Sequence, residues 1–198
     1  MIYKHSLITD LVGAFIATLT NLRFLFAFVI FVTISDVEEV NARSSGEAHF
    51  AAYITGYGYW DNTPPGSTAI SHPVKHRHAG GTGTYQDPIT LAVGHVLSGP
   101  HHSMDFRPGT IFYIRRFKKY AIVEDTCGDG PRPQDGPCHT GFQGNPWIDL
   151  YVGGKDEGPQ LTDRCSYTLT GLQMVIMNPA PNYEVAQGEM VKSGCRAF

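Results

Sequence analysis

The chain contains few charged residues and no excess of basic over acidic residues. Charged residues make up 17% of its 198 positions, and the formal net charge at pH 7 is −3. A protein without a basic field does not gather nucleic acid or anionic lipid by electrostatics, so we expect no nucleic-acid partner. The sequence also lacks a nucleotide-binding loop, a Ser/His/Asp nucleophile motif and heptads. These absences exclude the classes that depend on them.

Long amphipathic helices are missing as well. Beyond residue 42, no segment carries an apolar stripe at helical spacing over eleven residues. At most one short helix fits, near residues 161–166. The 22 glycines and 13 prolines are typical of a turn-rich β protein. The sequence therefore predicts an all-β fold.

The N-terminus has the parts of a secretory signal. Lys4 and Arg23 precede an apolar run at 24–34, and small residues follow at 40–42. A basic flank, an apolar stretch of about a dozen residues and a small-residue end are what an export signal requires. We therefore expect cleavage near Ala42 and a secreted, extracellular protein.

This interpretation divides the chain into a signal peptide at 1–42 and one domain at 43–198. A signal anchor spanning about residues 11–35 is the alternative. Asn21 and Arg23 would interrupt such a span, which a membrane helix tolerates poorly. An uncleaved N-terminal segment is the only route by which we expect contact with a membrane.

All four cysteines lie beyond residue 42, and none forms a C-x-x-C pair. An even count behind an export signal predicts two disulfides rather than a zinc site or reactive thiols. Three pairings are possible. We favour Cys127–Cys138 across a Gly/Pro-rich loop and Cys165–Cys195 at the C-terminal tail.

Short runs rich in β-branched and aromatic residues alternate with Gly/Pro turns after residue 46. The runs that predict strands are 48–59, 90–94, 110–114, 118–124, 147–152 and 171–177. About six short strands with irregular spacing favour a closed barrel, because closure removes exposed strand edges.

Two aspartates lie in apolar surroundings. Asp125 ends the run 121–125, and Asp149 is embedded in 147–151. Burial raises the pKa of a carboxyl group, and a raised pKa suits a general acid near neutral pH. Capping of backbone N–H groups is the alternative role for both. Asp87 precedes a proline, a pattern that is also an ordinary turn initiator.

The order of these motifs resembles double-psi β-barrels. Residues 123–126 (Val-Glu-Asp-Thr) end one strand, and residues 148–150 (Ile-Asp-Leu) open a second strand after a loop. The pattern is similar to the three-aspartate domain and the barrel of membrane-bound lytic transglycosylase A. More distantly, it resembles expansins, rare lipoprotein A proteins and family 45 glycoside hydrolases. The resemblance covers about residues 83–153 and implies a six-stranded double-psi β-barrel with long loops, here disulfide-stapled.

The resemblance also implies roles for the aspartates. Asp149 matches the general acid, Asp125 matches the neighbour that sets its protonation or orients the substrate, and Asp87 loosely matches the first aspartate. Expansins keep the pair without hydrolysis, so matching residues do not by themselves imply catalysis. The loop from Thr126 to Trp147 departs from the bacterial pattern, because it is long and has no lysine.

Three segments, 58–66, 79–88 and 124–130, are similar to secreted fungal proteins of this barrel type. Aromatic rings with polar edges suit sugar faces, although core and rim packing is the alternative for each ring. The candidate substrate-binding aromatics are Tyr57, Tyr59, Trp60, Tyr85 and Trp147.

Seven of the nine histidines fall between residues 72 and 139. His76 and His78 form an H-x-H pair, which in a strand would project both rings to one face. His139 or Asp125 would have to supply a third metal ligand. Histidine-rich surface loops are more common than metal sites, so we expect no metal and no other cofactor.

The leading hypothesis is an extracellular barrel that cleaves a cell-wall or plant polysaccharide, with Asp149 protonating the glycosidic oxygen. Hydrolysis and lytic transglycosylation both remain open. A non-catalytic expansin-like or effector-like module that binds wall polymer is the alternative. A histidine-ligated metalloprotein on the same barrel is the third hypothesis.

Overall fold

The computed structural model describes residues 46–198 of the chain. The signal peptide or signal anchor expected in residues 1–42 lies outside these residues. Within 46–198, no helix has the length and apolar character needed to cross a membrane.

The described part of the chain is mostly β-structure, as predicted. Its strands are β1 (Ala48–Tyr57), β2 (Ile89–Val93), β3 (His95–Ser98), β4 (His101–Met104), β5 (Ile111–Ile114), β6 (Lys119–Thr126), β7 (Trp147–Tyr151) and β8 (Gly171–Met177). Its helices are α1 (Pro137–Thr140) and α2 (Pro159–Leu169), with 3₁₀ turns at Arg115–Phe117, Pro133–Asp135 and Val191–Ser193. The six runs predicted as strands are β1, β2 and β5 to β8, and α2 covers the one predicted helix. The hairpin β3–β4 was not predicted.

Six strands close into a barrel in the order β1-β7-β2-β6-β5-β8. The pairs β1/β7 and β2/β6 are parallel, and the remaining neighbours are antiparallel. Strands β3 and β4 form a separate two-stranded sheet. The expectation of a closed six-stranded barrel is therefore confirmed.

Alternation along the strands separates the core from the outer surface. Ile54, Ile148 and Leu150 are fully buried and belong to the main hydrophobic cluster. Thr55 and Asp149 are their immediate neighbours, and successive side chains in a strand point to opposite faces. The outer face of β1 and β7 is thus the one that carries Asp149.

Two disulfides staple the loops to the barrel. Cys127, which follows β6, is bonded to Cys138 in α1, with their Cα atoms 5.8 Å apart. Cys165 in α2 is bonded to Cys195 near the C-terminus, with a Cα separation of 5.2 Å. This is the pairing that the sequence favoured. The first disulfide fixes the long loop beside the end of β6, and the second fixes the C-terminal segment against α2.

A β-bulge interrupts the pairing of β2 with β6. Leu91 pairs with Val123, but Ala92 pairs with Asp125, so Glu124 is the extra residue. A bulge sets two residues of one strand opposite one residue of its partner. Glu124 and Asp125 consequently both reach outward over β2, and this placement determines the geometry of the site.

Candidate active site

One row of register partners crosses four strands on the outside of the barrel. Thr55 pairs with Asp149, Asp149 pairs with Ala92, and Ala92 pairs with Asp125. Neighbouring strands lie about 4.8 Å apart, so the backbones that carry the two aspartates are about 10 Å apart. The methyl group of Ala92 leaves open space between them. The sequence-predicted pair Asp125 and Asp149 is therefore brought together.

A pocket of about 430 Å³ opens above this row. Its walls come from β-strand ends and from two loops, one before β2 and one after β6. The lining residues are Tyr57, Asp61, Asn62, Thr63, Ala69, Ile70, Ser71, Ala92, Asp125, Thr126, Cys127, Gly128, Asp129 and Asp149. Four of these are carboxylates and none is lysine, arginine or histidine, so the pocket has a negative potential.

Asp149 is positioned by a chain of two hydrogen bonds. The indole Nε1 of Trp147 donates to Thr55 Oγ1 at 2.8 Å, and Thr55 Oγ1 donates to Asp149 Oδ1 at 2.7 Å. A hydroxyl has one hydrogen to donate, so that of Thr55 is committed to Oδ1. Oδ2 lies 3.9 Å from Cys127 Sγ, a disulfide sulfur without a hydrogen. When Asp149 is protonated, the proton therefore lies on Oδ2.

The environment of Asp149 favours its protonated form. Burial raises the pKa of Asp149 to about 7; the hydrogen bond from Thr55 opposes the rise, and the charges of Asp61 and Asp125 add to it. Its side chain is partly exposed and lines the pocket, and the protein around the pocket desolvates it strongly. Near neutral pH, a substantial fraction of Asp149 carries the proton that a general acid donates.

Asp125 is held as a hydrogen-bond acceptor. Its Oδ2 accepts from Tyr57 Oη at 3.0 Å, and its Oδ1 accepts from the backbone N–H groups of Ser71 at 3.0 Å and Thr126 at 2.9 Å. Burial, together with the charges of Asp125 and Asp149, raises the pKa of Tyr57 well above its ordinary value. Tyr57 therefore keeps its hydrogen and acts as a donor to Asp125. These bonds fix the carboxylate of Asp125 at the edge of the pocket.

Removing the Thr55 hydroxyl should raise the pKa of Asp149 further. In Thr55→Val, Oδ1 loses its donor, and a hydrogen bond to a charged acceptor is stronger than one to a neutral acceptor. The expected shift is about 1 pH unit upward. Carbon-detected NMR titration of the Asp149 carboxyl measures it directly. Thr55→Ser, which retains the hydroxyl, should titrate like the wild type, and an unchanged titration in Thr55→Val would contradict the assignment.

Asp87, expected as a third aspartate of the site, does not line the pocket. Its Oδ1 contacts His76 Nε2 at 3.0 Å, and its Oδ2 accepts from the Thr82 N–H at 3.0 Å. His76 Nδ1 contacts Glu124 Oε2 at 2.6 Å, so one imidazole bridges two carboxylates. The turn chemistry of Asp87-Pro88 explains this placement, because Asp87 organises the loop that enters β2.

Glu124 anchors the loop that forms one wall of the pocket, a role that the sequence analysis missed. Its side chain is fully buried, and Oε1 accepts from the backbone N–H groups of Val74, Lys75 and His76 at 3.2, 2.5 and 2.8 Å. A glutamate directly before Asp125 in a buried strand was the available signal. Glu124 and Asp125 hold successive parts of one loop through the bulge in β6.

The predicted aromatic residues divide into two groups. Tyr57 lines the pocket, and Trp147 reaches the site through Thr55. Tyr59 packs edge-to-face on Trp60, whose Nε1 donates to the carbonyl of Gly154 at 2.7 Å. Neither Tyr59 nor Trp60 is among the pocket-lining residues, and Tyr85 packs on Tyr120 of the barrel instead.

The histidines proposed as metal ligands are not brought together. His76 is engaged by Glu124 and Asp87, His78 is exposed in a loop, and His139 Nδ1 contacts Asp105 at 2.6 Å. His76 and His78 lie in a loop rather than a strand, so alternation does not align their rings. Among residues 46–198, no group of three or more His, Cys, Asp or Glu side chains is placed so that it could hold a metal ion.

Comparisons with known proteins identify a family. A family model described as the DDB_G0273701 N-terminal domain matches residues 49–196, which include all but the first residue of the barrel. The chain is also 30% identical over 143 residues to the uncharacterized protein DDB_G0273701/DDB_G0273221 of Dictyostelium discoideum. The match covers 72% of the chain and 56% of that relative, so it spans about half of the relative's length. No solved structure matches significantly. The chain belongs to the DDB_G0273701 N-terminal domain family.

Proposed function

We propose that this protein is a secreted barrel of the double-psi type that cleaves a cell-wall polysaccharide by general acid catalysis. The observation that carries the proposal is the placement of Asp149, whose pKa is about 7, in a pocket shared with Asp125. A perturbed carboxyl in a concave site is the kind of group that enzymes use for proton transfer.

The proposed cleavage begins with the proton on the Asp149 carboxyl. The proton on Oδ2 passes to the glycosidic oxygen as the bond to the anomeric carbon breaks, and Asp149 becomes a carboxylate. The negative charges of Asp125 and Asp61 stabilise the oxocarbenium-like transition state. Water or a hydroxyl of the same sugar then attacks the anomeric carbon. The proton released by that nucleophile restores neutral Asp149, so hydrolysis and lytic transglycosylation both balance.

The strand order supports the double-psi assignment. Two parallel pairs, β1/β7 and β2/β6, are joined by the antiparallel pair β2/β7, and β5 and β8 complete the barrel. Asp125 on β6 and Asp149 on β7, with β2 between them, face one outer pocket, and this agrees with the adjacent aspartates of the families that the sequence resembles. Two disulfides fit an oxidising, extracellular compartment.

A non-catalytic wall-binding module is the second candidate. The loop between β6 and β7 has no lysine, and it contributes Gly128 and Asp129 to the pocket. If that loop has replaced catalytic parts found in relatives, the pocket and its aromatic neighbours would bind polymer without turnover.

Product analysis separates these candidates. Wild type, Asp149→Asn and the matched control Asp163→Asn, which changes an exposed aspartate of α2, are incubated with chitin, β-glucan, cellulose and peptidoglycan. Reducing ends and product masses are then measured. We expect Asp149→Asn to lose about 10²–10⁴-fold of the cleavage rate, the contribution typical of a general acid. Asp163→Asn should cleave like the wild type.

The masses also identify the nucleophile, because hydrolysis adds the elements of water and intramolecular attack does not. Equal cleavage by Asp149→Asn and wild type would overturn the assignment of the acid. The wall-binding module would be favoured if no polymer gives products while wild type and Asp149→Asn are both retained on one of the polymers in a pull-down.

A further inference from the structure

The β3–β4 hairpin presents two histidines on one face. His95 pairs with Met104 and Leu97 pairs with His102, so these four side chains share a face of the two-stranded sheet. The rings of His95 and His102 lie with their centres 4.9 Å apart. His72, from the loop that lines the pocket, adds a third ring, 5.1 Å from His102. Three imidazoles from three elements thus form one cluster, which we call the hairpin histidine cluster.

His95 has a buried ring nitrogen without a hydrogen-bond partner. The residue is 7% exposed, and its Nδ1 meets no hydrogen-bond partner among residues 46–198. When the ring hydrogen is on Nε2, Nδ1 has a lone pair that is free to bind a metal ion.

The spacing of the rings fits tetrahedral coordination. With metal–nitrogen bonds of about 2.0 Å and tetrahedral angles, the centres of two ligating imidazoles lie about 5 Å apart. The two measured separations, 4.9 and 5.1 Å, agree with this distance. Among residues 46–198, no group of three such side chains is already placed to hold a metal ion, so binding requires the rings of His72 and His102 to rotate. Both rings are at least partly exposed.

We propose that His72, His95 and His102 bind one divalent first-row transition metal ion, Zn²⁺ or Cu²⁺, with a fourth position left to water. Imidazole nitrogens are the ligands that these ions prefer among the uncharged side chains. The site is separate from the carboxylates of the pocket and does not depend on the proposed glycan cleavage. Ser71 and Cys127 line the pocket and lie beside the cluster, so the ion would stand at the rim.

The neighbouring histidines of β4 provide a matched pair for the test. His102 faces the cluster, whereas His101 points to the opposite face of the hairpin, and both are exposed. Metal-free protein is prepared by dialysis against EDTA and titrated with Zn²⁺, then with Cu²⁺, at pH 7.5 in competition with a chromophoric chelator. We expect wild type and His101→Ala to bind one equivalent with a Kd of about 1 μM or below, and His102→Ala to bind at least about tenfold more weakly.

Thermal unfolding gives a second measurement that needs no activity. One equivalent of bound Zn²⁺ should raise the Tm of wild type and of His101→Ala, with a much smaller rise for His102→Ala. Matching Tm values for the metal-free proteins establish that the variants fold. If His101→Ala and His102→Ala lose metal affinity equally, the binding is due to exposed histidines in general, and the proposal is overturned. The proposal is also overturned if the wild type does not bind one equivalent of metal.

Discussion

Asp149→Asn is expected to stabilise the protein by about 2–4 kcal/mol at pH 8, while removing its proposed activity. A pKa of about 7 means that ionising Asp149 in the folded state is costly. One pKa unit corresponds to about 1.4 kcal/mol, and contact with water through the pocket reduces the full value. Asparagine keeps the acceptor for Thr55 and carries no charge. A gain in stability with a loss of function is typical of active-site replacements.

The pH dependence of this effect has a definite sign. The pKa of Asp149 rises from an ordinary value of 3.8 to about 7 on folding, so the native state binds more protons than the unfolded state between these values. The stability of the wild type therefore falls as pH rises through this interval, relative to Asp149→Asn. Urea unfolding at pH 4, 6 and 8 should give a difference near zero at pH 4 that grows towards pH 8. Asp163→Asn should show no such growth, and a pH-independent difference for Asp149→Asn would refute the explanation.

Glu124→Ala should destabilise the protein by about 3–5 kcal/mol, the usual effect of removing one partner from a buried ionic network. The substitution leaves the backbone N–H groups of residues 74–76 and the ring of His76 without their acceptor. Glu124→Gln retains an oxygen for the N–H groups, so its effect should be smaller. Glu184→Ala, which removes an exposed carboxylate, is the control. A loss below about 1 kcal/mol for Glu124→Ala would show that the loop is held by other contacts.

The Glu124–His76 pair also predicts a pH window. Burial raises the pKa of Glu124, but hydrogen bonds from His76 and Lys75 outweigh it and leave the pKa below its ordinary value of 4.5. Burial lowers the pKa of His76, but Asp87 and Glu124 outweigh it and raise the pKa above 6.5. The carboxylate contribution is complete above pH 4.5 and is lost as pH falls through the folded value. The imidazolium contribution is complete below pH 6.5 and is lost as pH rises. The stability difference between wild type and Glu124→Gln should therefore be largest between these two values.

The barrel strands could be predicted because their signals are local. Runs of β-branched and aromatic residues between Gly/Pro turns predict β1, β2 and β5 to β8, and the even number of cysteines predicts two disulfides without determining their pairing. The hairpin β3–β4 escaped prediction because His-Val-Leu-Ser and His-His-Ser-Met carry almost no β-branched signal. Its two strands pair with each other outside the barrel.

Much of the candidate site could not be derived from local patterns. Asp125 and Asp149 were identified because each interrupts an apolar run, but their partners Thr55 and Ser71 lie 94 and 54 residues away in the chain. Asp87, which does not line the pocket, was grouped with Asp125 and Asp149 because Asp-Pro has the same local pattern in a structural turn as in an active site. The bulge at Glu124 depends on the register between β2 and β6, and no single strand determines that register.

The contact between Cys127 Sγ and Asp149 Oδ2 links the chemistry of the pocket to the way the protein is produced. In the disulfide, this sulfur has no hydrogen to donate to Oδ2. A chain folded in a reducing cytosol would place a thiol there, and a thiol can donate to Oδ2 and favour the ionised carboxylate. Material from a cytosolic expression host would then have a lower pKa at Asp149 than material in which the disulfide has formed, although both contain the same barrel. Formation of the Cys127–Cys138 disulfide would thus also prepare Asp149 for the proposed proton transfer.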